Sequence, residues 1–433
     1  MRRSPHDAEI FRLAVPALGA LAAEPLYVLV DTAIVGHLGT LQLGALAIAA
    51  ALLSGAFTVF NFLTYGTTAQ VARLAGAGRE ADARRLGVQA LWLGGAIGAV
   101  LLAALLALAV PAVALMGGEG EVAEEAVKYL RIAALGAPLF MLATAGQGYL
   151  RGVSDLRTPL VILVAAHLVN VVLELLFVYG FGWGLAGSAA GTVIAQLGMG
   201  AAFVRVVVAR AGGLERPNWA AMRPLMRVGG EIAVRTSALL GSFLVAGAVL
   251  ARMGTASLGA HQIAFQLFVF LALVLDALAI AGQVMVGRML GAGDADGARA
   301  AAGRMIGWAV VAGTGFGALL LALGGVIPRA FTADPAVIER ADAIWPLFAL
   351  MMPANGAVFA LDGILIGAGD TRFLMWGMLA AAAVYVPVAL LALSAGWGIV
   401  GVWCGLLGLI GVRLVTCGAR FAGSRWALTG APA

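Results

Sequence analysis

Carboxyl side chains inside long apolar stretches are the residues of this sequence with the clearest potential for chemistry. An ionised side chain at the centre of a bilayer costs at least about 2.5–3.5 kcal/mol, so such residues need a reason to be there. Asp31 follows Tyr27-Val-Leu-Val, and no basic residue lies within helical reach of it. Because apolar surroundings disfavour the charged form of a carboxyl group, Asp31 is predicted to bind and release protons.

A second set of polar residues has helical spacing. Asn170 and Glu174 are four residues apart, and so are Thr192 and Gln196, which places each pair on one face of a helix. Together with Asp31 they could converge in the interior of the first half of the chain. Two interpretations remain open: a proton-binding site coupled to a substrate, or a buried polar network that ties helices together.

The second half of the chain carries its own intramembrane polar residues. Asp276 and Asp362 have no obvious arginine partner in the sequence, and Glu231 and Arg235 have the four-residue spacing of a structural ion pair. The two aspartates could form a second cation site or bond to neutral side chains across helices. The residues of this candidate second site are Asp276, Asp362, Gln266 and Asn355.

Two prolines lie on the helix that carries Asp31. A proline inside a helix leaves a carbonyl without its donor and allows a bend. Pro16 and Pro25 flank Glu24, and they are predicted to act as hinges that respond to protonation of Asp31.

The elements that position these residues follow from composition. Only 11% of the 433 residues are charged and 62% are hydrophobic, against roughly 25% charged residues in soluble domains. So few charges could not cover the surface of a soluble protein of this length. The composition therefore excludes a soluble enzyme, a disordered chain and a nucleic-acid-binding protein, and it indicates an integral membrane protein with many spans.

Apolar runs separated by charged or Gly/Pro-rich turns define the spans, each of which needs about 20 residues. The sequence predicts an all-α polytopic membrane protein with twelve transmembrane helices. Their approximate ranges are 10–36, 43–72, 86–115, 126–151, 158–181, 184–209, 225–252, 257–289, 300–328, 341–368, 372–395 and 398–421.

Basic residues predict the orientation, because cytoplasmic segments carry an excess of Arg and Lys. With a cytoplasmic N-terminus, most of the 27 basic residues fall on the cytoplasmic side, among them Arg2, Arg3 and Arg413, while Arg235 lies within a span. The opposite side holds Lys128, Arg131, Arg252, Arg329 and Arg340. We expect a multi-pass protein of the cell inner membrane with both termini in the cytoplasm.

An internal repeat organises the chain. At a constant offset of 215 residues, Arg73-x-x-Gly-Ala-Gly recurs as Arg288-x-x-Gly-Ala-Gly, and Gly152-x-x-Asp-x-Arg recurs as Gly367-x-x-Asp-x-Arg. Six spans in each half give both halves the same orientation, as in transporters built from parallel repeats. The predicted six-helix lobes are residues 1–213 and 214–433.

A repeated two-lobe bundle favours a solute carrier with alternating access. Nothing in the sequence resembles a channel selectivity filter, and no phosphate-binding loop for ATP is present. The repeated Gly-Ala-Gly run is predicted to cap a helix rather than to bind phosphate. We expect no enzymatic activity, no cofactor and no metal site.

Three motifs resemble the multidrug and toxic compound extrusion (MATE) family of transporters. The first is Pro-Leu-Tyr-Val-Leu-Val-Asp31-Thr-Ala-Ile-Val-Gly-His-Leu-Gly in helix 1, which is most similar to the DinF-like subfamily. The others are Leu275-Asp276-Ala-Leu-Ala-Ile-Ala-Gly-Gln and Asp362-Gly-Ile-Leu-Ile-Gly-Ala-Gly-Asp-Thr-Arg. The resemblance covers nearly the whole chain.

The resemblance implies export of organic cations and other drugs in exchange for H⁺ or Na⁺. On this basis Asp31 matches the family's helix 1 aspartate, and Asn170 and Glu174 match an Asn-x-x-x-Asp pair, with Glu in place of Asp. Thr192 falls where the lobe has a helix 6 threonine. The sodium-coupled branch carries a helix 7 glutamate where this sequence has Leu239, which favours H⁺ over Na⁺.

The predicted function is therefore a proton-coupled exporter of lipophilic cations that works by rocker-switch alternating access. We expect it to be a monomer in the lipid bilayer, with no nucleic-acid partner. One alternative is a flippase or exporter of a lipid-linked precursor or metabolite, whose cavity would need basic residues, whereas the sequence offers one interior arginine, Arg235. A second alternative is a non-transporting membrane receptor or scaffold.

Overall fold

The computed structural model describes residues 4–431, so Arg2 and Arg3 lie outside the described residues. These residues form α-helices and one short π-helical turn, and no β-strand occurs among them. The helices are α1 (Pro5–Gly36), α2 (Thr40–Phe60), α3 (Phe62–Gly76), α4 (Glu80–Leu115), α5 (Gly120–Ala134), α6 (Ala137–Gly152), α7 (Arg157–Leu175), which continues into the π-helical turn Leu176–Gly180, α8 (Gly184–Ala211), α9 (Trp219–Arg252), α10 (Thr255–Gly291), α11 (Ala295–Leu323), α12 (Ile327–Phe331), α13 (Pro335–Gly367), α14 (Thr371–Ser394) and α15 (Gly398–Ala422).

The helix count agrees with the predicted membrane protein. Within residues 4–431, eleven segments are long and apolar enough to cross a bilayer, or twelve if the bent pair α5 and α6 forms one span. Large apolar side chains such as Leu115, Leu244 and Val415 are exposed. Apolar exposure on this scale is expected of a surface that contacts lipid. The all-α polytopic fold predicted from the sequence is confirmed.

The repeated Arg-x-x-Gly-Ala-Gly motif ends a helix in both halves, as predicted. Gly78 and Gly293 have φ angles of 73° and 85°, a left-handed conformation that costs glycine nothing. The amide of Arg79 donates to the carbonyl of Leu74 at 3.0 Å, and the equivalent bond in the second half measures 2.9 Å. This pattern is the Schellman cap, which satisfies carbonyl groups at the end of a helix.

Two spans of the first half are divided into shorter helices, whereas the sequence predicted a single helix for each span in both halves. α10 and α13 are continuous, whereas their counterparts are divided into α2 and α3 at Asn61 and into α5 and α6 next to Gly136. The second division bends the chain by 48°. The predicted spans 43–72 and 126–151 therefore each consist of two helices.

The described chain divides into two compact units, each with its own apolar core. The first unit is Gly19–Gly229, and the second contains the residues from Gly230 onward together with those up to Leu18. Leu130 and Val113 lie in the core of the first unit. Phe348, Tyr385 and Trp403 lie in the core of the second unit. A lobe boundary after residue 213 stays a prediction.

Ion pairs hold the N-terminal end of α1 within the second unit. The Asp7 carboxylate accepts hydrogen bonds from the Arg304 guanidinium at 2.6 and 2.7 Å and from the Trp308 indole at 2.8 Å. Glu9 accepts one from Arg288 at 2.7 Å. These bonds attach the start of α1 to α10 and α11.

Candidate functional site

Asp31 lies inside the first unit on α1, where only 7% of its surface is exposed. The Ser188 hydroxyl on α8 donates a hydrogen bond of 2.9 Å to its carboxylate. The sequence analysis did not select Ser188. Its position four residues before Thr192 puts it on the same face of α8, and this spacing was the signal that could have identified it.

Glu174 is the most deeply buried acid of this region. It has no exposed surface, and neither carboxylate oxygen has a hydrogen-bond partner within residues 4–431. Asp31 is near enough for the two carboxyl groups to interact electrostatically. Because neighbouring carboxylates repel each other when both are charged, this pair favours a bound proton or cation.

Asn170 and Thr192 connect the acidic pair to its surroundings. The Asn170 amide donates to the Thr192 hydroxyl at 3.3 Å, while its carbonyl oxygen has no partner in the described chain. The hydroxyl groups of Tyr27 and Thr192 share a hydrogen bond of 3.1 Å. Asp31, Asn170, Glu174 and Thr192, all predicted to be site residues from the sequence, are thus brought together by α1, α7 and α8.

Local backbone features allow this convergence. A side chain at Gly191 would approach the backbone nitrogen of Glu174 at 3.2 Å, so this glycine lets α7 and α8 pack closely. The helix α7 changes to a π-helical turn at Leu176, two residues after Glu174. Such π turns inside helices occur frequently at functional sites.

A cavity of about 290 Å³ opens beside these residues, and we call it the outer cavity. Asp31, Thr192 and Gln196 line it together with Tyr27 and Tyr129. The side-chain oxygen of Gln196 has no partner in the described part of the chain. This volume suits several waters or one small organic molecule, and its polar groups face an otherwise apolar wall.

The predicted second site has a different character from the first. Asp362 pairs with Arg235 and Arg413, so the expectation that it has no arginine partner is wrong. Two guanidinium groups neutralise this carboxylate, which weakens the case for a cation site. Glu231, predicted to pair with Arg235, accepts a hydrogen bond from Thr371.

The other members of the predicted second site differ in how deeply they are buried. Asn355 is fully buried, and its amide has no hydrogen-bond partner among the described residues. Gln266 is exposed and Asp276 is half-buried.

More arginines are buried than the sequence indicated. Arg413 was assigned to the cytoplasmic surface, but only 4% of it is exposed. Arg151 is also buried, with 5% exposure. The expectation of a single interior arginine is therefore wrong, because position along a helix does not reveal which face is covered.

The acidic site is confined to the first half of the repeat. At the offset of 215 residues, Asp31, Asn170 and Glu174 correspond to Ala246, Tyr385 and Ala389. The Gly-Trp-Gly turns align at an offset of 214, which pairs the polar residues of α8 with Val402, Leu406 and Ile410. A polar network needed only to hold helices together would be expected in both halves. The acidic residues occur in the first half alone, which favours the interpretation as a binding site.

Comparison with known proteins was made against families, curated relatives and solved structures. The sequence matches the MatE family over residues 16–176 and 232–391. The chain belongs to the MatE family. The two matched stretches correspond to the two halves of the repeat, and the MATE resemblance of the sequence motifs is confirmed.

The relatives cover nearly the whole chain. DNA damage-inducible protein F of Escherichia coli is 30% identical over 423 residues, which are 94% of this chain and 90% of the relative, and it agrees with a DinF-like assignment. The multidrug resistance protein PmpM of Pseudomonas aeruginosa is 29% identical over 438 residues, 94% and 90% of the two chains. The Vibrio cholerae MATE transporter VcmN in its bent form shares the fold, with a TM-score of 0.87, 20% identity and coverage of 97% and 96%.

Family membership gives the general function. The protein is a multi-pass membrane transporter of the multidrug efflux family and not an enzyme. It acts on small molecules, and transport in this family requires no cofactor. Its bacterial relatives support a location in the inner membrane.

Proposed function

We propose that this transporter exports lipophilic organic cations in exchange for protons, which bind at Asp31 and Glu174. The observation that carries the proposal is the buried Glu174 carboxyl group, whose oxygens have no hydrogen-bond partner in the described chain and lie close to Asp31. An unpaired buried charge is costly, so such a carboxyl group is stable when it holds a proton or faces a cation. Proton and cationic substrate would therefore oppose each other.

The transport cycle follows from this competition. With both carboxyl groups ionised, the negative site favours the substrate-bound state. Protons entering from outside neutralise the site and promote substrate release. When one proton enters for each monovalent cation that leaves, no net charge crosses the membrane, and one pH unit supplies about 1.4 kcal/mol, enough for a roughly tenfold cation gradient.

Rocker-switch alternating access between the two lobes is the proposed motion. In this scheme Pro16 and Pro25 act as hinges of α1, the helix that carries Asp31. α1 is continuous from Pro5 to Gly36, so the structure gives one conformation of this helix. The related transporter VcmN has been described in a bent form, which supports a second one.

Protons are favoured over sodium as the coupling ion. Leu239 occupies the position of the carboxylate expected in the sodium-coupled branch. Replacing an imposed pH gradient with a sodium gradient tests this choice directly, because only the former should drive efflux.

We also propose that the protein is a monomer and that both of its termini lie in the cytoplasm. Size-exclusion chromatography with light scattering measures its mass in detergent. Cysteine labelling near each terminus in sealed vesicles measures the orientation. A dimer, or a terminus labelled from outside, would contradict these expectations.

A second candidate function is export of an anionic lipid-linked precursor. It is favoured by the buried guanidinium groups of Arg151 and Arg413. Against it, Asp362 already pairs with Arg413.

The decisive assay uses purified protein in liposomes with an imposed pH gradient and a panel of dye cations and anionic lipids. Gradient-driven cation efflux that is lost in Asp31→Asn and kept in Glu119→Gln, an exposed loop carboxyl, supports the cation exporter. Transport of the anionic lipid alone would contradict the cation exporter and support the second candidate function. Transport of neither substrate would contradict both candidate functions.

A further inference from the structure

A second polar cavity lies in the first unit beside the outer cavity, and we call it the inner cavity. Its volume is about 130 Å³, and its lining includes Glu24, Gln147, Arg151 and His167. Arg151 lies near the end of α6 that precedes the loop we propose to be cytoplasmic. The mechanism above assigns no role to this cavity.

Glu24 lines both cavities. It appears in the walls of the inner and the outer cavity, together with Asn61 and Phe140. Glu24 therefore lies where the two cavities adjoin, whereas Asp31, which is only 7% exposed, lines only the outer of the two.

The spacing along α1 aligns Glu24 with Asp31. Seven residues separate them, which is nearly two full helical turns, so both carboxyl groups lie on the same face. At 1.5 Å per residue their backbone positions are about 10 Å apart along the helix. Roughly three waters in hydrogen-bond contact would bridge this gap, and the outer cavity is large enough to hold them.

Two further contacts connect the inner cavity to the acidic site. The His167 ring, which lines the inner cavity, stacks on the Tyr27 ring with centroids 4.9 Å apart. Tyr27 in turn shares a hydrogen bond with Thr192. Pro25 has no backbone N–H and so cannot donate a hydrogen bond to the carbonyl of Leu21. Leu21 also lines the inner cavity, so its carbonyl oxygen is left as an acceptor for water.

We propose that Glu24 is a second proton-binding residue, which relays protons from the Asp31–Glu174 site through the inner cavity to the cytoplasm. The proton leaves the carboxyl group of Asp31 or Glu174, passes along bridging waters and binds the Glu24 carboxylate. It then leaves to water on the cytoplasmic side, so each cycle restores Glu24 and moves one proton inward. The titratable groups that line the two cavities with Glu24 are Tyr27, Asp31, Tyr65, Tyr129, Arg151 and His167.

The proposal rests on the proposed proton exchange and is tested by separating net transport from exchange. The variants Glu24→Gln, Glu24→Asp and Glu119→Gln are reconstituted in liposomes with ethidium as the probe. Three quantities are measured: ethidium transport driven by a pH gradient, ethidium–ethidium exchange without a gradient, and the Kd for ethidium. Exchange needs no net proton movement, so a relay residue should affect only the first quantity.

For Glu24→Gln we expect gradient-driven transport to fall at least about tenfold, a loss typical of removing a proton-transfer group. Exchange and the Kd should stay within about twofold of wild type. Glu24→Asp should recover part of the driven transport, and Glu119→Gln should match wild type throughout.

Undiminished driven transport in Glu24→Gln would overturn the relay alone. An equal loss of exchange or of ethidium binding would also overturn it, because Glu24 would then contact substrate or support the fold. If wild type itself showed no gradient-driven transport, the proposed function would fail and the relay with it.

Discussion

Replacing Asp362 with leucine removes a carboxylate that pairs with two guanidinium groups, those of Arg235 and Arg413. The side chains of Asp362, Arg413 and Arg235 are 9%, 4% and 14% exposed. Removing one partner of a buried ion pair costs about 3–5 kcal/mol, because the other charge is left uncompensated. At roughly 2–4 °C per kcal/mol for a unit of about 200 residues, the apparent Tm should fall by roughly 6–20 °C.

The assay is thermal unfolding in detergent at one heating rate, followed by intrinsic tryptophan fluorescence. Asp342→Leu is the matched control, because Asp342 and its partner Arg329 are 42% and 50% exposed and such a pair contributes at most about 1 kcal/mol. The double variant Asp362→Leu/Arg413→Leu should lose about 0.5–3 kcal/mol less than the sum of the two single variants. Strictly additive losses, or an Asp362 variant as stable as the control, would refute the buried pairing.

Three other predictions concern Asp31, Asp155 and Gly191. Ser188→Ala removes the hydroxyl that donates to the Asp31 carboxylate, a bond worth about 1.5–3 kcal/mol, so gradient-driven transport should fall by about tenfold or more. Burial opposes ionisation of the loop residue Asp155, but hydrogen bonds from Thr158 and Arg210 outweigh this effect and lower the pKa of Asp155. The stability that ionised Asp155 contributes should therefore be present above about pH 4 and be lost as the pH falls further. Gly191→Leu should separate α7 from α8, which would abolish transport and lower the Tm.

Each of these predictions has a matched control. Ser54→Ala alters a serine that lines the outer cavity and should leave gradient-driven transport unchanged. Asp155→Asn should remove the loss of Tm at acidic pH, and an unchanged acid profile would contradict the assigned hydrogen bonds. Gly198→Leu on the same helix should be tolerated, because a Cβ atom at this position would have no atom of residues 4–431 within 4 Å outside its own stretch of helix.

Helical spacing explains why much of the acidic site could be predicted. Asn170 and Glu174 share a face of α7, and Thr192 shares a face of α8 with Gln196, so the sequence indicated that each pair points one way. The structure adds the direction, which is toward Asp31. Ser188 was missed although it lies four residues before Thr192 on the same face of α8, because this spacing does not show that the face points to a carboxylate.

The division of a predicted span into two helices could not be predicted from the sequence. Pro138 and Pro353 match at the offset of 215 residues, yet Pro138 begins α6 while Pro353 lies inside the continuous α13. Proline is compatible with either position at modest cost if its neighbours adapt, so it did not predict the bend. At Gly136 a side chain would approach the Gln196 oxygen at 1.7 Å, and the second half has Met351 there.

The most direct test of the central claim is to count protons released when substrate binds. Ethidium is added to purified protein in weakly buffered detergent, and a pH-sensitive dye measures the change. The account predicts that wild type and the Glu119→Gln control both release protons on binding, and that Asp31→Asn/Glu174→Gln releases none. Binding of ethidium by wild type without proton release, or equal release by the double variant, would contradict proton exchange at Asp31 and Glu174.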